Sequence, residues 1–145
     1  MKWTLLDETD GRRTFVLVFD TGHDPLEGLQ LFAAEQQLLG SHFTALGALS
    51  AVTLGWWSWE EKDYRRIELN EQIEVLSLTG NITDAPDGGR KVHAHIVIGR
   101  SDGTAHGGHL LGGRVRPTLE VTLIESRRHL RRRHDANTGL ALIDV

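Results

Sequence analysis

Four of the eight histidines fall within residues 92–113, VHAHIVIGRSDGTAHGGHLLGG. His93 and His95 sit in a run where Val92, Ala94, Ile96 and Ile98 alternate with His93, His95 and Val97. Such alternation is the pattern of a half-buried strand, on which residues two apart share a face. Two imidazoles so placed can converge on one ion. Ser101-Asp102-Gly103 is a turn signal, with Gly103 free to take positive φ. As a three-residue hairpin loop between Arg100 and Thr104, it sets His109 opposite His95 on the same face. One residue more or less in the loop turns His109 to the other face, so the three-histidine reading depends on register. The same register puts His106 opposite Ile98 on the apolar side, which excludes it from the site. Gly107 and Gly108 leave room beside the histidines for close backbone approach or for a ligand.

Three neutral imidazoles suit zinc, and also nickel, copper or iron. Three protein ligands leave a coordination position open for water or substrate. Thr79 and Asn81, which alternate along with Ser77 on one strand face, are candidates to hydrogen-bond near the ion, and Glu120 is a candidate neighbouring carboxylate or general base. The alternative is that the histidines are polar residues of a solvated sheet face, Thr79 and Asn81 the polar side of a strand, and Glu120 a solvent-exposed acid.

The surrounding pattern is mostly strand. Residues 13–19, RTFVLVF, read as a strand by β-branched and aromatic content. Asp24 is a helix N-cap signal, with Pro25 at N1 and Glu27 at N3. The helix is expected over 25–39, stopped by Gly40, with Leu26, Leu29, Phe32, Ala33 and Leu39 on its sheet-facing side. Residues 43–57 form a long apolar run interrupted by Gly47 and Gly55, which suggests a bulge or bend. Trp56, Trp57 and Trp59 follow, either as core and interface anchors or lining a ligand pocket. Further strands are expected over 64–69, 72–83, 114–116 and 118–125. The fold class is therefore α/β (α+β), an antiparallel and mostly single central sheet packed by one helix.

Four blocks carry a family resemblance: FTALGALSAVTLGWW (43–57), EVLSLTGNI (74–82), HAHIVIG (93–99) and GGHLLGGRV (107–115). Over about 14–125 the chain resembles the plants-and-prokaryotes-conserved domain, PPC. The resemblance implies an α/β fold around an antiparallel sheet, a homotrimer, and a histidine metal site carried here by His93, His95 and His109. It also implies a DNA-associated or regulatory role, since plant members accompany AT-hook motifs. The AT-hook core Arg-Gly-Arg-Pro is absent; Arg114-Val115-Arg116-Pro117 has valine where the narrow minor groove needs glycine.

By length, 145 residues make one domain, 1–145, with a core at about 13–126 and a basic C-terminal segment at 127–145. The chain has no cysteine, which excludes disulfides and thiolate ligands and fits a cytoplasmic setting. The N-terminus lacks the apolar core of a signal peptide, and no apolar run is long enough to span a bilayer. A formal net charge of −4 counts against a dedicated duplex binder. The dense basic run is 127–134, where Arg127, Arg128, Arg131, Arg132 and Arg133 are candidate phosphate contacts. Phosphate-binding loops, a Gly-x-Ser-x-Gly elbow and His-Glu-x-x-His are all missing. Three functions remain: a metal-binding regulatory protein, a metal-dependent enzyme or small-ligand binder, and a protein whose metal only holds strands together.

Overall fold

The computed structural model describes residues 1–145. In chain order the elements are β1 (Lys2–Thr9), β2 (Arg12–Asp20), α1 (Pro25–Glu35), β3 (Ser41–Ser58), β4 (Asp63–Leu69), β5 (Ile73–Asp84), β6 (Arg90–Gly99), β7 (Ala105–Glu125), β8 (Arg131–His134) and β9 (Ala141–Asp144). All nine strands join one sheet, antiparallel except for a single parallel bridge between Asp84 and Arg131. The fold is thus α+β, as the hydrophobic pattern implies.

Two long strands form the spine. β3 and β7 run antiparallel from Ser41↔Glu125 to Gly55↔His109. β5 pairs with β3, and β6 pairs with both β5 and β7, so these four strands close a hydrogen-bonded ring. The inward side chains pack with Phe15, Leu17 and Phe19 of β2 and with Leu29 and Phe32 of α1, all essentially buried. Phe15 and Phe32 meet edge to face at 5.2 Å. α1 lies against β6 and β7.

The helix starts as its sequence demands. Asp24 Oδ1 accepts from the backbone N–H of Leu26 and Glu27, and its other oxygen accepts from Gly113 N–H at 3.0 Å. One carboxylate therefore both caps α1 and ties it to β7. The helix ends earlier than expected, at Glu35 rather than at 39. Gln37 takes the left-handed conformation at φ 53°, and Leu38 and Gln37 N–H donate to the carbonyls of Ala33 and Ala34. That is a Schellman termination with glutamine in the position usually held by glycine. Leu38 consequently enters the core. Gly40 serves close packing instead: a Cβ there would lie 2.7 Å from the Arg128 carbonyl oxygen.

The glycine interruption at 47 is a bulge, where pairing to β5 shifts between Ala45 and Gly47 at φ 146°. Residues 114–116 and 118–125 are not two strands but parts of the continuous β7. β1, β8 and β9 were not expected from the pattern. β1 is exposed along its length, and β8 is the second half of the arginine run, paired to β9 as a hairpin.

Candidate metal centre

β6 supplies His93 and His95, and β7 supplies His109. The hairpin between them has the anticipated three-residue loop: Arg100 N–H donates to the Thr104 carbonyl at 2.9 Å, and Gly103 sits at φ 81°. The register follows, with His95 opposite His109 and Ile98 opposite His106. His106 points away from the cluster's face, as expected, but is exposed rather than covered.

The three imidazoles form a compact triangle. Ring centroids are 5.2 Å apart for His93–His95, 5.0 Å for His93–His109 and 5.3 Å for His95–His109. One nitrogen from each ring lies within 4.8 Å of the others. Tetrahedral coordination at the usual zinc–nitrogen length needs about 3.3 Å between nitrogens, so binding an ion would draw the rings together. His93 and His109 are half-buried and His95 is exposed. Buried Nδ1 of His109 has no hydrogen-bond partner in the protein. An orphaned imidazole nitrogen beside two others is a donor set suited to a divalent transition ion.

Burial and nearby charge keep His93 and His109 neutral. Burial, then the Arg132 guanidinium and the neighbouring cations, lowers the His93 pKa to about 4. Burial, then the neighbouring His93 and His95, lowers that of His109 to about 4. Both rings therefore keep an unprotonated nitrogen at neutral pH, unpartnered at His109 Nδ1 and facing Arg132 Nη2 at His93 Nδ1.

Aromatic residues back the cluster. Tyr64 of β4 stacks on His109 at 4.6 Å and 21°, and Trp57 of β3 meets Tyr64 edge-on at 5.0 Å. Gly55, opposite His109, makes this possible, because a Cβ there would lie 2.8 Å from the tyrosine ring. Sequence reasoning missed Tyr64; β4 reads only as a short polar–apolar strand, and nothing local ties it to His109. Trp56 and Trp59 stand apart from the triangle, exposed, with Arg65 and Lys62 respectively over their rings.

These blocks belong to a recognised family. The Plants and Prokaryotes Conserved (PCC) domain matches residues 6–127. The chain belongs to this family. Among solved structures, the PCC chain is similar to a metal-containing protein from Archaeoglobus fulgidus, with 33% identity, a TM-score of 0.83, and coverage of 91% of this chain and 93% of that one. It is also similar to a candidate DNA-binding protein from Bacteroides thetaiotaomicron, with 25% identity, a TM-score of 0.85, and coverage of 98% and 96%. A curated relative, the bifunctional protein GlmU of Synechococcus sp., is 34% identical over 134 residues, 90% of this chain. The PCC chain spans only 20% of that relative's length.

Other anticipated positions of the PCC chain divide. Thr79 is opposite His95, and with Ser77, Val97 and Gly107 it lines a hollow on one side of the cluster. Asn81, opposite His93, reaches the cluster through Arg132: Asn81 Oδ1 accepts from Nη2 at 2.8 Å, and Nη2 lies 3.2 Å from His93 Nδ1. Glu120 is not brought to the site. It pairs with Leu46, nine positions along β3 from the Gly55 that pairs with His109, roughly 30 Å at strand spacing. Unbroken continuation of β7 through Pro117 carries it away.

The arginine run is largely engaged by the chain's own acids. Arg127 pairs with Asp10 at 2.9 Å, Arg133 with Asp144 at 3.1 Å, and Arg131 lies 4.0 Å from Asp84. Arg128 is exposed. Arg132, expected as a phosphate contact, points inward to the histidines instead. No helix is long and apolar enough to cross a membrane.

Proposed function

We propose that this protein binds a divalent transition metal, zinc by donor preference, through His93, His95 and His109, and uses it to bind and act on a small ligand. The convergence of three imidazole nitrogens within 4.8 Å carries this reading. The orphaned His109 Nδ1 and the depressed pKa values of His93 and His109 support it, as does the metal-containing Archaeoglobus relative. A bound ion would supply Lewis-acid polarisation of a ligand oxygen. The protein's part is to hold three imidazole rings in place: the β6–β7 hairpin fixes their register and Tyr64 stacks on His109.

Hollows on both sides of the triangle favour a working site over one that merely fastens strands. A small chelator should strip the ion from the folded protein within minutes while the far-ultraviolet circular dichroism is unchanged. Release only upon unfolding would instead make the ion structural. We further propose a homotrimer in the cytoplasm. Exposed Leu46, Leu76 and Val97, at 62%, 53% and 42%, give apolar surface for subunit contact. Sedimentation should return three chains per particle; a monomer would contradict this.

A second reading, a DNA-associated or regulatory role, is favoured by the Bacteroides relative. The internal pairing of Arg127, Arg131 and Arg133 and the net charge of −4 weigh against it. Binding to a mixed-sequence duplex that weakens steeply between 50 and 200 mM salt, on the order of 10³-fold, would restore that role; absent or salt-insensitive binding would remove it.

A further inference from the structure

The histidine triangle opens on one side into a hollow of about 200 Å³. Its charged lining is Lys91 and Arg132, both cationic; the neutral His93 and His109, Tyr64 and the segment 139–142 form the other walls. No carboxylate faces it. Arg132 is half-buried, and its protein partners are all neutral. Nε donates to Thr83 Oγ1 at 3.0 Å, Nη1 to the Ala141 carbonyl at 2.6 Å, and Nη2 to Asn81 Oδ1 at 2.8 Å. A guanidinium taken partly out of water normally has an anion beside it. Here none of the chain's twenty acidic residues fills that role, although the neighbouring Arg131 and Arg133 each face an aspartate.

Nη2 also lies 3.2 Å from His93 Nδ1. A guanidinium has only donors, so Nδ1 must be the acceptor. That contact and a metal ion exclude each other. Coordination through Nδ1 uses the lone pair that Arg132 occupies. Coordination through Nε2 moves the ring proton to Nδ1, which then faces an N–H. In either case one N–H of Arg132 loses its acceptor at the edge of the hollow, while a divalent charge is added to those of Arg132 and Lys91. The site then lacks an anion, with a planar donor fork already held in place by Thr83, Asn81 and Ala141.

We propose that the hollow bounded by Arg132, Lys91, His93 and His109 is the receptor for a small ligand carrying an oxyanion, a carboxylate or a phosphoryl group, with Arg132 as its principal anchor. The inference rests on the metal reading of the three histidines and adds the ligand's chemical class. The hairpin of β8 and β9, which carries Arg132 and the Leu140 wall, lies beyond the family match at 6–127.

The test uses the cobalt(II)-loaded full chain, whose visible absorption reports changes at the ion. Lactate and inorganic phosphate are titrated separately, with propane-1,2-diol as the uncharged counterpart of lactate. The expected result is a saturable spectral change with one or both anions and none with the diol; the responding anion identifies carboxylate or phosphoryl. Arg132→Met should weaken that binding at least tenfold and Lys91→Met about threefold, both at full cobalt occupancy. Because Arg132 also tethers β8, exposed Lys91 and the charge-retaining Arg132→Lys serve as variants that keep the fold. No response to either anion overturns the inference, as does equal affinity in wild type, Arg132→Met and Lys91→Met. A wild-type protein that takes up no cobalt overturns the metal reading itself, and the inference with it.

Discussion

Gly80 lies where the core, β5 and the histidine strand meet, which makes Gly80→Ala a sharp test of the arrangement. A Cβ at this position would be 2.4 Å from the Phe43 ring and 2.5 Å from the His93 carbonyl oxygen. Ordinary contacts are about 3.5–4.0 Å between carbons, so roughly 1 Å of displacement is required. Phe43 is only 1% exposed and cannot swing clear, and the carbonyl belongs to the strand that carries His93. Overpacking of this kind costs about 1–3 kcal/mol. With two rigid neighbours the upper end applies, about 3 kcal/mol, or a fall in Tm of about 6–12 °C for a chain of this size. Moving the His93 backbone should also weaken metal affinity by about tenfold or more. Thermal melts at one protein concentration, paired with metal titrations, read both effects. Gly103→Ala is the contrasting control: φ is 81° there, but the space is open, so backbone strain of about 1–2 kcal/mol is the only cost. A Gly80→Ala protein melting within 2 °C of wild type would refute the close approach of residues 43, 80 and 93. Lost stability with unchanged metal affinity would refute the claim that this contact positions His93.

Acid should destabilise the metal-free protein through the cluster. His93 and His109 have pKa values of about 4 when folded against an ordinary 6.5, so between those values the unfolded chain binds more protons. Their contribution is complete above about pH 6.5 and declines as pH falls toward 4, on the order of 1 kcal/mol per ring after discounting their half-exposed positions. Urea unfolding at pH 7 and pH 5 should show a shallower pH dependence in a His93→Asn, His109→Asn double variant; an unchanged slope contradicts the assignment. Arg13→Met strands the buried Glu125 carboxylate, whose partner lies at 2.6 Å, and should cost about 3–5 kcal/mol, partly recovered by adding Glu125→Gln. Equal denaturation midpoints for Arg13→Met and wild type would mean the pair is not desolvated. Asp24→Ala removes both the α1 cap and the bond to Gly113, so a loss of about 2 kcal/mol is expected, and Asp24→Asn should retain more than half of that stability. Identical melts for the two variants would count against the dual role.

The site was legible where local rules set register. A Ser-Asp-Gly turn between alternating strands leaves one short loop, and that loop fixes His109 opposite His95. Asp24-Pro25 likewise marked the start of α1. Its end was illegible because Gln37, not the nearby Gly40, adopts the left-handed turn. Glu120 was misplaced because strand length is a tertiary property; only pairing with β3 carries β7 unbroken past Pro117. Tyr64 and Arg132 were missed as neighbours of the histidines for the same reason. Both arrive from strands remote in sequence, and Arg132 sits in a run whose charge suggests solvent or phosphate while its side chain turns inward to Asn81 and Thr83.

The most direct measurement is elemental analysis of the purified, untagged protein beside its His95→Ala variant. His95 is the exposed member of the triangle, so its removal leaves the core packing intact. The account predicts about one transition-metal ion per wild-type chain and near-complete loss in the variant, with unchanged thermal stability of the metal-free forms. Equal metal content in the two proteins, or none in the wild type after supplementation with zinc, would contradict it.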